Sequence, residues 1–352
     1  MVKVKRILAL ALVVAMASLL LTGCGGEKKE TLKVFNWGEY IADGVIKDFE
    51  KEYNCRVIYE TFDSNEAMMA KVQNSGSSSY DVVFPSEYTV SKMIELDMLH
   101  EINYENVPNA SYINEAYKGL SYDPENKYSV PYMMNTLGIL YNTEMVTEDV
   151  NSIGILFDDK YEGKVLMLDG MRDTIGMTLK YLGYSMNTDN ASEIEEAKEL
   201  LMKQKKNVRA YAGDNVKDMM LNGEAALALV FSGEGNKAVA ESEGMLAMTA
   251  VPEEGSNLAI DTMVILKGSE HTLLAEKFVN FMLRPDIALR NAEETGYTSP
   301  NTEAVKMLPP EIGENKNYYP TEEELSRCEI FLYLPKETEK LWADAWTKIK
   351  AS

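Results

Sequence analysis

The residues best suited to chemistry crowd into two short stretches. Asn36-Trp37-Gly38-Glu39-Tyr40 and Pro85-Ser86-Glu87-Tyr88 each set aromatic, polar and acidic side chains within a few positions. Carboxylates beside aromatic faces suit the capture of a cation, because the acid neutralises its charge and the ring quadrupole attracts it. The materials for covalent chemistry are poor by comparison. There are only two histidines, His100 and His271, both in charged contexts, which leaves little for a histidine metal site or a histidine-dependent triad. No Gly-x-Ser-x-Gly occurs, and Gly163-Lys164 lacks the glycine five positions earlier that a phosphate-binding loop needs. Gly233-Glu-Gly235-Asn-Lys-Ala238 fits Gly-x-Gly-x-x-Ala, but Glu234 would oppose a pyrophosphate, so a tight turn is expected there. Tyr318-Tyr319, followed by Pro320 and without a nearby histidine, reads as a structural turn rather than a ferric site. No metal and no cofactor are expected.

Composition narrows the partners. The 352 residues carry 35 Lys+Arg against 56 Asp+Glu, a net charge of −21. Such a balance argues against nucleic acid, which needs a basic face to displace counterions from phosphate. It fits cationic ligands, although most of the acids, as in 192–206 and 321–326, lie on helix faces where they serve solubility. With 45% hydrophobic and 26% charged residues the chain is of the soluble globular kind. Its length exceeds what one compact core fills, so two lobes are expected.

Residues 1–23 read as an export signal. Lys3, Lys5 and Arg6 precede an uncharged apolar run over 7–21, shorter than the ~20 residues of a spanning helix. Leu21-Thr22-Gly23-Cys24 resembles the lipobox of bacterial lipoproteins, which implies cleavage before Cys24 and its lipidation. Residues 24–30 would then be a tether. Removing three positive and no negative charges leaves the mature chain at −24. The protein is therefore expected outside the cytoplasmic membrane, lipid-anchored, where ATP and nicotinamide cofactors are scarce. Cys55 and Cys328 remain, paired or free.

The elements that must position the two stretches alternate between strand and helix. Strands are expected over 32–37, 56–60 and 80–84, with helices over 43–53 and 65–73 between them. That order is the signature of a parallel sheet covered by helices, in which ligands gather at the carboxyl ends of strands. Both stretches are such ends. A second α/β region begins after Tyr132-Met-Met-Asn135. It has strands at 165–168, 225–231, 247–251 and 260–265, and helices at 174–182 and 192–205, the latter opened by a Ser192-x-x-Glu195 capping box. A helix over 273–283 is expected to be interrupted near Pro285. Trp342 and Trp346, four apart, read as core anchors of a C-terminal docking helix.

Colinear motifs then give a resemblance. Phe35-Asn-Trp37-Gly-Glu-Tyr40, Ser64-Asn-Glu66-Ala-Met, Tyr80-Asp-Val-Val-Phe-Pro85-Ser86-Glu-Tyr88, Tyr128-Ser-Val-Pro-Tyr132, Leu182-Gly-Tyr-Ser185, Leu283-Arg-Pro-Asp286 and Glu294-Thr-Gly-Tyr297-Thr-Ser-Pro-Asn301 are similar to the spermidine/putrescine-binding proteins of bacterial polyamine ABC importers. The similarity spans almost the whole mature chain. It implies a two-lobed periplasmic-binding-protein-like α/β fold of type II with the ligand cleft between the lobes. One lobe would comprise 31–136 plus 261–300 and the other 137–260 plus 301–352. It implies a non-enzymatic, monomeric lipoprotein that hands a polyamine, putrescine or spermidine, to ABC permease subunits. The alternatives are an importer subunit for another cationic metabolite, an extracellular enzyme on the same scaffold, or a sensory lipoprotein.

Residue by residue, the resemblance places an aromatic wall at Trp37, Tyr40, Tyr88, Phe231 and Tyr297. It gives a polar contact at Ser86, acids at Asp173 and Asp261, and Glu329 where the family has a glutamine. Glu87 is a further source of negative charge. The chain departs from the family at Gly170, where an acid is expected and Asp169 is the neighbouring substitute. It departs again at Ala259, where a tryptophan is missing, and at Phe231, which replaces a tryptophan.

Overall fold

The computed structural model describes residues 29–76, 78–213 and 215–352; the signal segment, Cys24 and most of the tether lie outside them. The strands are β1 (Thr31–Trp37), β2 (Arg56–Phe62), β3 (Val82–Val83), β4 (Ser129–Asn142), β5 (Val165–Leu168), β6 (Val208–Ala212), β7 (Leu227–Phe231), β8 (Leu246–Thr249) and β9 (Leu258–Ile265). The α-helices are α1 (Val45–Glu52), α2 (Asn65–Ser75), α3 (Glu87–Glu95), α4 (Met171–Tyr181), α5 (Ala191–Gln204), α6 (Val216–Leu221), α7 (Ser232–Glu241), α8 (Thr272–Met282) and α9 (Pro285–Thr295). Four more follow: α10 (Thr302–Val305), α11 (Pro310–Gly313), α12 (Glu322–Ser326) and α13 (Lys336–Ala351).

Strand order is β2-β1-β3-β9-β4-β7-β5-β6, with β8 also beside β4. The β2-β1-β3 and β7-β5-β6 blocks are internally parallel, and β9 and β4 join them by antiparallel pairing. The fourteen-residue β4 belongs to both blocks. Its residues Ser129–Thr136 pair with β9, and Leu137–Tyr141 pair with β7. Apolar cores form separately on either side of that changeover. Phe49, Phe278 and Phe281 fill one face of the first block, and Phe35, Met68 and Met93 the other. Trp342, Leu227 and Leu229 fill one face of the second block, and Met220, Ala228 and Val230 its reverse. Both faces of each block are covered, so strands such as Leu227-Ala-Leu-Val230 are apolar throughout. Each large apolar side chain buried there contributes ~1.5–3 kcal/mol. The result is two lobes joined through β4, β9 and the chain beyond Tyr297. That last segment is still bonded to the first lobe at Asn301 and Thr302, through Leu283 and Tyr112. It reaches the second at Asn317, through Met248 and Asn236.

Several local readings are corrected. Asn190, not Ser192, caps α5, accepting from the Ser192 N–H. Pro285 starts α9 instead of interrupting a helix, since a first-turn proline has no N–H to lose. The Gly233–Ala238 stretch is the first part of α7, not a tight turn. β4 has no counterpart among the strands expected from the sequence; its Pro131, which has no N–H for a ladder, lies at the register shift between Pro131 and Met133.

Candidate ligand site between the lobes

The site is built where β9 meets the start of α3. Ser86 and Asp261 form an isolated antiparallel bridge. Ser86 occupies the N-cap of α3, yet its hydroxyl does not cap the helix; it donates to Asp261 Oδ1 at 2.6 Å. The other carboxylate oxygen, Oδ2, accepts from the Tyr40 hydroxyl, also at 2.6 Å. Asn65, the first residue of α2, donates from Nδ2 to Ser86 Oγ and to Tyr88 OH, and accepts the Ser86 N–H. The chain Asn65–Ser86–Asp261 is polarised in one direction, so each bond strengthens the next. Asp261 is 7% exposed, and burial pushes its carboxyl above the usual range, opposed by the Ser86 and Tyr40 hydroxyls.

Aromatic rings gather around Tyr40, which holds this acid. Tyr40 follows the turn after β1, in which Glu39 takes a left-handed backbone (φ 48°). Its ring meets those of Tyr132 and Tyr297 edge-on, at 5.6 and 5.0 Å, and its carbonyl accepts from the Tyr132 hydroxyl. Trp37 ends β1 half-buried, 4.6 Å from Phe62. Tyr297 comes from the first lobe but lies on Gly233 of α7 in the second. A Cβ at Gly233 would stand 2.7–2.8 Å from the ring atoms, so glycine is required for this approach. Tyr88, on α3, likewise packs against the second lobe's core.

The second lobe presents Phe231 and Asp173. Phe231 ends β7 half-buried and serves as the N-cap residue of α7. Asp173 lies in the first turn of α4, half-buried and densely surrounded. Burial pushes its carboxyl up to about 6, against the pull of Arg172. Its Oδ2 fills the space beside Gly170, where an added Cβ would stand only 2.1 Å away. Asp169 does not substitute for the missing acid, because it is ion-paired with Lys350 on α13 at 2.6 Å.

Glu87 and Glu329 are placed differently from one another. Glu87 is 0% exposed; its Oε2 accepts the Ile260 N–H at 3.0 Å, and its Oε1 is buried without a partner among the described residues. Burial raises its carboxyl to about 8. Glu329 runs beside Asn257 and Leu258 at the start of β9, but its carboxylate turns away to other partners. It binds Lys180 Nζ (2.8 Å), Ser185 Oγ (2.6 Å) and the Met186 N–H (3.2 Å). The structure thus gathers Tyr40, Ser86, Asp261 and Tyr297 in direct contact. It sets Glu87 and Tyr88 next to them, brings Asp173 of the second lobe near the Tyr88 hydroxyl, and leaves Phe231 at the end of β7. It does not bring the Glu329 carboxylate to the group. Beside Tyr88 a cavity of about 220 Å³ is walled by both lobes, with Glu66 and Lys92 on one side and Arg172 and Tyr333 on the other.

Comparison with known proteins decides the family. A profile of the bacterial extracellular solute-binding protein family matches residues 44–320. The chain belongs to that family. Among curated members, the Escherichia coli spermidine/putrescine-binding periplasmic protein is 35% identical over 304 residues, 86% of this chain and 87% of that one. The structure of the spermidine/putrescine ABC transporter substrate-binding protein PotD from Streptococcus pneumoniae superposes with a TM-score of 0.83 at 36% identity. It covers 92% of this chain and 99% of that one. The TpPotD lipoprotein of Treponema pallidum superposes at 0.81 with 28% identity, over 91% and 99%. The two-lobed α/β architecture expected from the motifs is therefore that of the family's solved structures.

Sequence reasoning within this solute-binding family missed four contributors. Asn65 and Tyr132 lay inside quoted motifs, but their bonds to Ser86, Tyr88 and Tyr40 need the fold. Gly233 was visible only as a dinucleotide-like pattern. Arg172, stacked at 4.5 Å on Phe331 and 4.9 Å on Trp342, gave no signal beyond adjacency to Asp173.

Proposed function

We propose that this protein is the substrate-binding lipoprotein of an ABC importer, capturing putrescine or spermidine between its lobes and delivering it to membrane permease subunits. The observation that carries the reading is the buried Asp261 carboxylate, oriented by Ser86 and Tyr40 and enclosed by the rings of Tyr40, Tyr132 and Tyr297. An ammonium seated there gains a charge-assisted bond to an acid that water reaches poorly. Aromatic faces add roughly 0.5–2 kcal/mol per cation contact and cover the methylenes. Trp37, Tyr88, Phe231 and Asp173 complete the proposed site, with Asp173 taking the second ammonium from the opposite lobe. Closure follows from a ligand that touches both lobes at once.

The relatives' names support the ligand class: spermidine/putrescine for the Escherichia coli protein and for the Streptococcus pneumoniae structure. The lipobox at Cys24 and the lipoprotein from Treponema pallidum support anchoring outside the cytoplasmic membrane. The protein acts as a monomer and catalyses no reaction. A thermal-shift panel of putrescine, spermidine, spermine, agmatine and basic amino acids tests the reading, because a tight ligand raises the midpoint by mass action. A response to polyamines is expected. Response only to agmatine or an amino acid would replace the ligand, and no response to any would remove it.

A further inference from the structure

The ligand reading accounts for Asp261 and Asp173 but leaves the buried Glu87 without a task. Its surroundings are specific. The backbones of Ser86-Glu87 and Ile260-Asp261 clasp each other: Ser86 donates to the Asp261 carboxylate, and Ile260 donates to the Glu87 carboxylate. The two acids therefore sit on facing segments with their charges coupled. Four titratable or charged groups bear on Glu87. Tyr88 comes from the same helix, Tyr122 from the loop ahead of β4, Asp261 from β9 and Arg172 from α4 across the seam. Arg172 is engaged elsewhere, with the Leu332 carbonyl and Asn187 Oδ1 and between two aromatic rings. Glu87 consequently has backbone N–H donors on one side and an unpartnered Oε1 on the other, with no side-chain counter-ion bonded to it among the described residues.

An ionised carboxylate so placed is costly, since water is excluded and half its acceptor capacity is unmet. Protonation removes the cost. A ligand cation against Asp261 reverses the balance: it cancels the like charge that disfavours ionisation and adds a positive field close by. We infer that Glu87 is a proton-bearing counter-charge for the ligand, neutral before the cation arrives and ionised once it is seated, its proton passing to solvent. The inference rests on the polyamine reading. It makes uptake depend on pH in a range where the amines themselves do not titrate.

Burial raises the Glu87 carboxyl to about 8 and Asp173 to about 6, and raises Asp261 as well, so the Glu87→Gln variant assigns the proton. The test is calorimetric titration of the full chain with putrescine at pH 7 in buffers of different ionisation enthalpy. The apparent binding heat should vary linearly with buffer enthalpy, with a slope approaching one proton released per ligand. Glu87→Gln should still bind putrescine, with the slope reduced to a small remainder. Should that variant fail to fold, the wild-type dissociation constant should tighten about threefold from pH 7.0 to 7.5, as one-proton linkage requires. Putrescine binding with no buffer dependence, or an unchanged slope in Glu87→Gln, overturns the inference while leaving the ligand intact. Absence of binding heat with any polyamine overturns the ligand reading and the inference together.

Discussion

The Ser86 hydroxyl, at the N-cap of α3, points 2.6 Å to Asp261 Oδ1 and leaves its own helix without a side-chain cap. An N-cap serine that bonds its helix contributes ~1 kcal/mol of stability. Here the hydroxyl is diverted to orient a buried acid. Local helix stability has yielded to the arrangement of the site, a trade that appears where function over-determines a side chain.

Removing the charge at Asp261 should separate binding from folding. Asp261→Asn keeps the size of the side chain and an acceptor for one hydroxyl. It should weaken polyamine binding tenfold to a hundredfold, ~1.5–3 kcal/mol, with a cooperative melt retained. Unchanged affinity by calorimetry would remove Asp261 from the site.

Gly233 controls how closely the lobes approach. Alanine suits a helix better than glycine by roughly 0.5–1 kcal/mol, so Gly233→Ala should leave α7 intact. Its methyl group would meet Tyr297 at under 3 Å, holding the lobes apart. Polyamine affinity should fall roughly tenfold or more, and small-angle scattering should show less compaction on ligand addition. Equal compaction in both proteins contradicts this.

Gly170 makes room for the Asp173 carboxylate rather than for a second acid. Gly170→Ala would displace Asp173 Oδ2, the end of a movable side chain, so the fold should hold. A melting temperature close to that of the wild type, with severalfold weaker polyamine binding, is the expected pair of results. Loss of stability without loss of affinity would place Asp173 outside the site.

The acids at the seam should make the ligand-free protein less stable as pH rises. An unfolded glutamate titrates near 4.3, whereas Glu87 titrates at about 8 in the fold. Between those values the folded state holds more protons than the unfolded one, so unfolding free energy falls with increasing pH. Denaturant titrations from pH 5 to pH 8 should show this decline, and Glu87→Gln should flatten it. A stability that climbs across this range refutes the assignment.

Glu329 should behave as a brace. Its carboxylate joins Lys180, Ser185 and Met186 within the second lobe. Glu329→Gln should cost about 1–3 kcal/mol of stability, since it leaves the little-exposed Lys180 ammonium without its counter-charge. Polyamine affinity should stay within about twofold. A large loss of affinity at unchanged stability would return Glu329 to the ligand.

Strand–helix alternation, the apolar runs of β5 and β7 and the periodic faces of α1 and α13 could all be read along the chain. So could the aromatic and acidic strand ends that form the proposed site. These are local signals, set by side-chain period and by residues a few positions apart. Colinear motifs carried the two-lobed fold for the same reason: each is a short segment whose meaning survives without its neighbours. What could not be read is which acids face the ligand. Asp169, Gly170 and Asp173 lie within five positions, yet one is tied to Lys350, one supplies space, and the third fills that space with its carboxylate. Glu87 and Glu329 look alike in sequence; one is fully buried against the Ile260 N–H, the other is paired with Lys180. A carboxylate's role depends on its distance from charges and hydroxyls 80 to 220 residues away, and on the water excluded when two lobes meet. Only the packed structure decides those.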